Sequence, residues 1–97
     1  MKNLVYLSIA EAELIDAAEF YELQRAGLGQ RFLDAVATAG RRVRRDPKVW
    51  PFRSRAVQSC RVPRFPYRLM YVDETDRVVV VAVAHMSRRP SYWQDRI

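Results

Sequence analysis

Phe65-Pro66-Tyr67-Arg68-Leu69-Met70-Tyr71-Val72 and Arg77-Val78-Val79-Val80-Val81-Ala82-Val83-Ala84, joined by the acidic run Asp73-Glu74-Thr75-Asp76, decide how this chain folds. Two runs rich in β-branched and aromatic side chains across a short polar link predict a hairpin from Phe65 to Val83. The run Val78–Val83 has no polar alternation, which predicts a strand buried on both faces in the middle of a sheet. Directly after it come His85-Met86-Ser87-Arg88-Arg89-Pro90-Ser91-Tyr92-Trp93. A rigid central strand that releases the only histidine, two arginines and two aromatics at its end is a natural place for function.

Upstream of the hairpin, residues 56–62 read as a further strand that turns at Pro63-Arg64. Before it lies an irregular connection, Pro47 to Arg55. Its Trp50 and Phe52 suit either a base-stacking platform beside Arg53 and Arg55 or a plug for the open end between helices and sheet. The plug is the favoured reading, because a small domain needs its large apolar side chains. Nearer the start, residues 3–7 read as a strand, and Ser8-Ile9-Ala10-Glu11 has the spacing of a capping box that opens a helix. Ala10, Leu14, Ala17 and Tyr21 then share one face, with Glu13, Asp16 and Glu19 expected to point elsewhere. Gly27 and Gly29 are expected to end that helix. A second helix from about Gln30 to Arg45 carries Phe32, Val36, Ala39 and Val43 on one stripe and stops at Asp46-Pro47. Gly40 within it is expected where two backbones approach closely. The order β-α-α-β-β-β predicts an α+β fold, a mostly antiparallel sheet with one face covered by a helical hairpin.

At 97 residues the chain is read as one domain, residues 1–97, with a modest core. No run is long enough to cross a bilayer, and Leu4-Val5-Tyr6-Leu7 is too short for a signal-peptide core, so the expected location is the cytoplasm. A single cysteine, Cys60, excludes an internal disulfide and a thiolate metal cluster, and is expected to be buried and inert. The net charge of +6 is divided unevenly: residues 1–40 hold three basic and six acidic side chains, residues 41–97 fourteen basic and five acidic. All fourteen but Lys48 are arginines. Segregated arginine suits a polyanion or an acidic protein, since guanidinium forks match phosphate and carboxylate geometry; the plainer alternative is a solvated face kept for solubility.

His85 is the one side chain whose ordinary pKa lies near neutrality, hence the natural general acid or base. Arg68 lies inside an apolar strand, where a charge needs a partner or a ligand. If Arg68 and His85 face the same side of neighbouring strands, with Arg61 and Arg88 nearby, the result is a cationic pocket suited to a phosphodiester transition state. Other chemistries fit poorly. There is no glycine-rich phosphate loop, no carboxylate pair, no set of metal ligands, and no triad partner for Ser87 or Ser91. No metal or cofactor is expected.

Several pieces, in order, resemble one family. Ala10-Glu11-Ala12-Glu13-Leu14-Ile15-Asp16-Ala17-Ala18-Glu19-Phe20-Tyr21-Glu22, Gly27-Leu28-Gly29-Gln30-Arg31-Phe32-Leu33, Asp46-Pro47 with Trp50-Pro51, Arg64 to Tyr71, and Val83 to Trp93 are similar to the RelE/ParE toxins of bacterial type II toxin–antitoxin modules, which include plasmid stabilisation proteins. The resemblance implies a small basic toxin held in a hetero-oligomer by a cognate antitoxin, with no membrane partner. It implies one of two targets, ribosome-bound mRNA cut as an endoribonuclease or DNA gyrase inhibited without cutting. A toxin-derived co-repressor that binds only antitoxin and operator DNA is a third possibility. For a nuclease, the resemblance gives Arg68, His85, Arg88 and Tyr92 as catalytic candidates: His85 or Tyr92 assists the ribose hydroxyl, and Arg68 and Arg88 hold the phosphorane. Arg61 fits one of two basic positions on the second strand, while the other falls on Ser59. Arg64, Arg89, Arg53 and Arg55 are the further candidates for binding nucleic acid or target.

Overall fold

The computed structural model describes all 97 residues. Strand β1 (Asn3–Tyr6) leads into helices α1 (Ser8–Gln24) and α2 (Leu28–Arg45). Strands β2 (Gln58–Arg61), β3 (Tyr67–Asp73) and β4 (Arg77–His85) follow, and a short 3-10 turn (Gln94–Arg96) ends the chain. The sheet order is β1-β4-β3-β2, with β1 parallel to β4 and the other pairs antiparallel. The α+β fold and the mostly antiparallel sheet expected from the sequence are therefore present. β4 is central as its valines predicted: Val78 to Val83 are at most 5% exposed.

Each face of the sheet carries its own core. On one face Phe32, Val36, Ala39 and Val43 of α2 and Ala10 and Ala17 of α1 pack on Cys60, Leu69, Tyr71, Val78, Val80 and Val83. Phe32 is fully buried, 4.9 to 5.2 Å from the rings of Tyr21, Phe65 and Tyr67. On the other face Val57, Met70, Val79, Val81, Ala82 and Ala84 meet Trp93 from the tail. That second cover was not foreseen, because nothing in the periodicity of residues 86–97 marks them as a lid.

Several local expectations need correction. Ser8 is already helical, the preceding Leu7 is the cap residue, and no side chain caps α1, so the capping box does not form. Glycine does not end α1 either: it stops at Gln24, and Gly27 (φ 89°) caps the start of α2, which begins at Leu28 rather than Gln30. The Glu22 carboxylate accepts the N–H groups of Gly27 and Gly29 at 3.0–3.1 Å, putting negative charge at the N-terminus of α2. The close backbone approach is at Gly29, where a Cβ would lie 2.6 Å from the Ala18 carbonyl oxygen. At Gly40 it would meet only the tip of the Leu4 side chain. The strand expected over 56–62 is shortened to Gln58–Arg61, although Val57 and Val62 are buried. Trp50 packs against the helix-side core as a plug, but Phe52 is 62% exposed and does not.

The β3–β4 register slips once. Tyr71 faces Val80 and Met70 faces Ala82, so Val81 is the extra residue of a bulge.

Candidate functional site, an arginine face

Side chains directly opposite each other in a ladder share a face of the sheet. Arg61 lies opposite Arg68, and Arg68 opposite Ala84, which puts both arginines on the Trp93 side, away from the helices. Arg53 joins them from the loop before β2, its Nε donating to the Ser59 hydroxyl at 2.9 Å. The position that the resemblance leaves to an uncharged Ser59 thus receives a guanidinium from elsewhere in the chain. Arg68 makes no ion pair; burial, then the neighbouring Arg53 and Arg61 charges, lower its pKa from the ordinary arginine value. Like charges held together without a carboxylate form a site that awaits an anion. Beside them opens a cleft of about 320 Å³ whose walls include Arg53, Arg68, Arg88 and Arg89 over Met70 and Trp93.

Arg68 and His85 border the same cleft but do not face the same side of the sheet as expected. His85 lies opposite Tyr67 and turns its ring toward that side chain, edge to face at 5.0 Å, on the helix side of the sheet. It nevertheless lines the arginine cleft together with Arg68 and Arg88, and it also borders a depression with Glu13, Asp16 and Phe20 of α1. Its Nδ1 accepts the Ser87 N–H at 3.0 Å and lies 2.8 Å from the Ser87 hydroxyl, so the neutral ring carries its proton on Nε2. The physical cause of the separation is the Val81 bulge, which exchanges the faces of every β4 residue beyond it.

Tyr92 is fixed rather than poised. Its hydroxyl donates to Glu13 Oε2 at 2.8 Å, the Arg88 guanidinium stacks 3.8 Å from the ring centroid, and Arg96 stands 5.0 Å from it. Burial, and then the hydrogen bond to Glu13, raise the phenol pKa well above its ordinary value, so the group is a poor base. Arg64, in a left-handed turn (φ 68°), lies apart from the arginine face, in a groove with Arg31 and Arg42 of α2. Arg55 is exposed on the loop before β2, outside the cleft. Cys60 is buried, and burial pushes its thiol up to about 11, as suits an inert residue.

Glu13 is the residue that sequence reasoning missed. Expected to point outward, it accepts the Val83 N–H at 3.0 Å, the Tyr92 hydroxyl, and two bonds from Arg96 at 2.9 and 3.0 Å. The carboxylate therefore ties α1, β4 and the tail together and holds Tyr92 under Arg88. Its position three residues after Ala10 and four before Ala17, on the flank of the buried stripe, was the available signal.

Comparison with known proteins agrees with this architecture. The family model described as the ParE toxin of the type II toxin–antitoxin system parDE matches residues 4–90. Among solved structures, a chain from the chromosomal ParDE toxin–antitoxin system of P. aeruginosa is similar in fold. The TM-score is 0.67 at 16% identity, over 90% of this chain and 98% of that one. At that identity the likeness concerns the fold alone. No curated protein matches the sequence.

Proposed function

The chain belongs to the ParE toxin family of type II toxin–antitoxin systems, and from that premise we propose that, when free of its antitoxin, it arrests growth in the cytoplasm by binding DNA gyrase through its arginine face rather than by cutting mRNA. The observation that carries this reading is the position of the possible bases. His85 borders the cleft but stands on the other face of the sheet from Arg68, and the Tyr92 proton is committed to Glu13, so neither is set as a base beside Arg53, Arg61 and Arg68. Arginines without a base can grip an anionic surface, but they leave the ribose hydroxyl with nothing to take its proton. Neutralisation follows from the same charge: an acidic antitoxin segment covers surface that the free toxin offers to its target.

Purified chain added to gyrase should inhibit supercoiling and trap broken DNA. Arg68→Ala should reduce that inhibition by about tenfold or more while leaving thermal stability within about 0.5 kcal/mol, because no carboxylate loses a partner. Ribosome-dependent mRNA cleavage that disappears in His85→Ala would overturn the proposal in favour of a nuclease. No growth arrest on expression would overturn both and leave a binding-only co-repressor.

A further inference from the structure

A second group of arginines lies away from the arginine face, along α2. Arg31, Ala35, Thr38 and Arg42 follow one another at helical spacing and share one side of that helix. At about 1.5 Å per residue, Arg31 and Arg42 mark the two ends of a stripe about 16 Å long. Facing the stripe is the turn between β2 and β3, which carries Arg64. Backbone bonds close that turn, from the Val62 N–H to the Tyr67 carbonyl at 2.9 Å and from the Tyr67 N–H to the Phe65 carbonyl at 2.8 Å. Between stripe and turn lies a groove of about 880 Å³. Sites for small molecules commonly enclose about 300–1,000 Å³.

Two observations point to a ligand there. Arg64 holds φ 68°, a left-handed conformation that glycine or asparagine adopts readily and arginine rarely. Backbone strain of this kind gathers where a side chain is needed in one place. In addition, none of Arg31, Arg42 and Arg64 is in an ion pair, although all three border the same groove. The one carboxylate among them, Asp34, accepts the Gln30 amide on Oδ1 at 2.9 Å and leaves Oδ2 open.

Three cations at separated points call for more than one phosphate. The walls between them are apolar, made by Leu28, Ala35, Pro63 and Phe65, which suits a ring better than further charge. An acidic peptide would match the arginines, but its carboxylates would meet Asp34. A ribose hydroxyl or the amino group of a base instead donates to that same oxygen. We propose that this groove binds a nucleotide, with its phosphates shared among Arg31, Arg42 and Arg64 and its base or ribose set against the apolar walls. A free nucleoside triphosphate and a strand of nucleic acid present the same chemistry. The groove shares no residue with the arginine cleft, so the proposal stands or falls independently of gyrase binding.

The test is titration calorimetry of the purified full chain with GTP, ATP, inorganic triphosphate, a short single-stranded oligonucleotide and polyglutamate. A nucleoside triphosphate should bind with a Kd of about 100 μM or tighter, and more weakly as salt rises. Arg31→Ala and Arg42→Ala should each weaken binding by about tenfold. Arg64→Gly should do the same while leaving the melting temperature unchanged or raised, because glycine is relaxed at that φ. Arg55→Ala, an exposed change outside the groove, should leave binding as it was. Binding of GTP or ATP identifies the free nucleotide as the ligand. Binding of the oligonucleotide alone, weakened by the same variants, identifies a strand, and either result sustains the site. Inorganic triphosphate binding as tightly as GTP would remove the role of the apolar walls and overturn the proposal. So would tighter binding of polyglutamate, no binding at all, or binding that Arg64→Gly leaves intact.

Discussion

At the scale of single residues, Glu13 and Arg68 are opposite cases of a charge placed in a mostly apolar setting. Glu13 has every partner its two oxygens can use, and its ion pair with Arg96 is largely shielded, with side-chain exposures of 16% and 13%. Removing one member of a shielded pair strands the other. Glu13→Ala should therefore lower stability by about 3 kcal/mol in urea unfolding. The native fluorescence of Trp93, the tail residue buried against the sheet, should shift to the red as the tail loosens. An Ala variant as stable as the parent would mean that Trp93 packing alone holds the tail. Arg68 is the reverse, a cation among cations that leaves no carboxylate stranded when it is removed. Composition could single out Arg68, because a charge within an apolar strand is conspicuous on the page. It could not single out Glu13, one of several acids on α1, because the partners that make it special lie some seventy to eighty residues away.

At the scale of elements, periodicity was a good guide to which residues are buried and a poor one to where elements begin. The α2 stripe of Phe32, Val36, Ala39 and Val43 is buried as its spacing required. Local pattern points to Gly29 as a helix end and to Gly40 as the close backbone approach, whereas the close approach lies at Gly29. Geometry separates them, and so should substitution. Gly29→Ala drives a Cβ against the Ala18 carbonyl, a backbone atom that cannot step aside. It should cost about 2 kcal/mol as α1 and α2 are forced apart. Gly40→Ala meets only the flexible end of Leu4 and gains helix propensity, so it should be neutral or stabilising by up to about 1 kcal/mol. Equal melting temperatures for the two variants would contradict this distinction. The start of α1 was misjudged because the Ser8–Glu11 spacing is the pattern of a cap, whereas Leu7 already continues the extended path of β1.

At the scale of the whole molecule, the fold class and the order of elements along the chain were legible because the hairpin and the two helices each follow from local pattern. The two-sided cover of the sheet was not legible, because it depends on where the tail and the loop before β2 come to rest. One long-range tie joins the start of the chain to the hairpin turn: Asp73 is paired with Lys2 and with Lys48. Burial opposes ionisation of Asp73, but the hydrogen bonds from the two lysines outweigh it and hold its carboxyl below the usual range. A carboxyl whose folded pKa is depressed contributes stability above its unfolded value of about 3.9, and that contribution is lost as pH falls through the folded value. Acid unfolding followed by circular dichroism should therefore show Asp73→Asn less stable than the parent at neutral pH, with the difference shrinking below about pH 4. A gap that persists to pH 2 would assign the effect to packing instead.

The register of β4 beyond its extra residue has a consequence for how such proteins change trade. Shortening the chain by Ala84 alone, with the Val81 bulge kept, would place His85 opposite Arg68 and swing its imidazole round beside the guanidinium groups. One codon of length, with no change to any reacting side chain, thus stands between a surface that clasps and a surface equipped to cleave. A deletion variant that keeps its circular dichroism spectrum and gains RNA-cutting activity dependent on His85 would show that a single step of insertion or deletion can carry this scaffold from one mode of attack to the other.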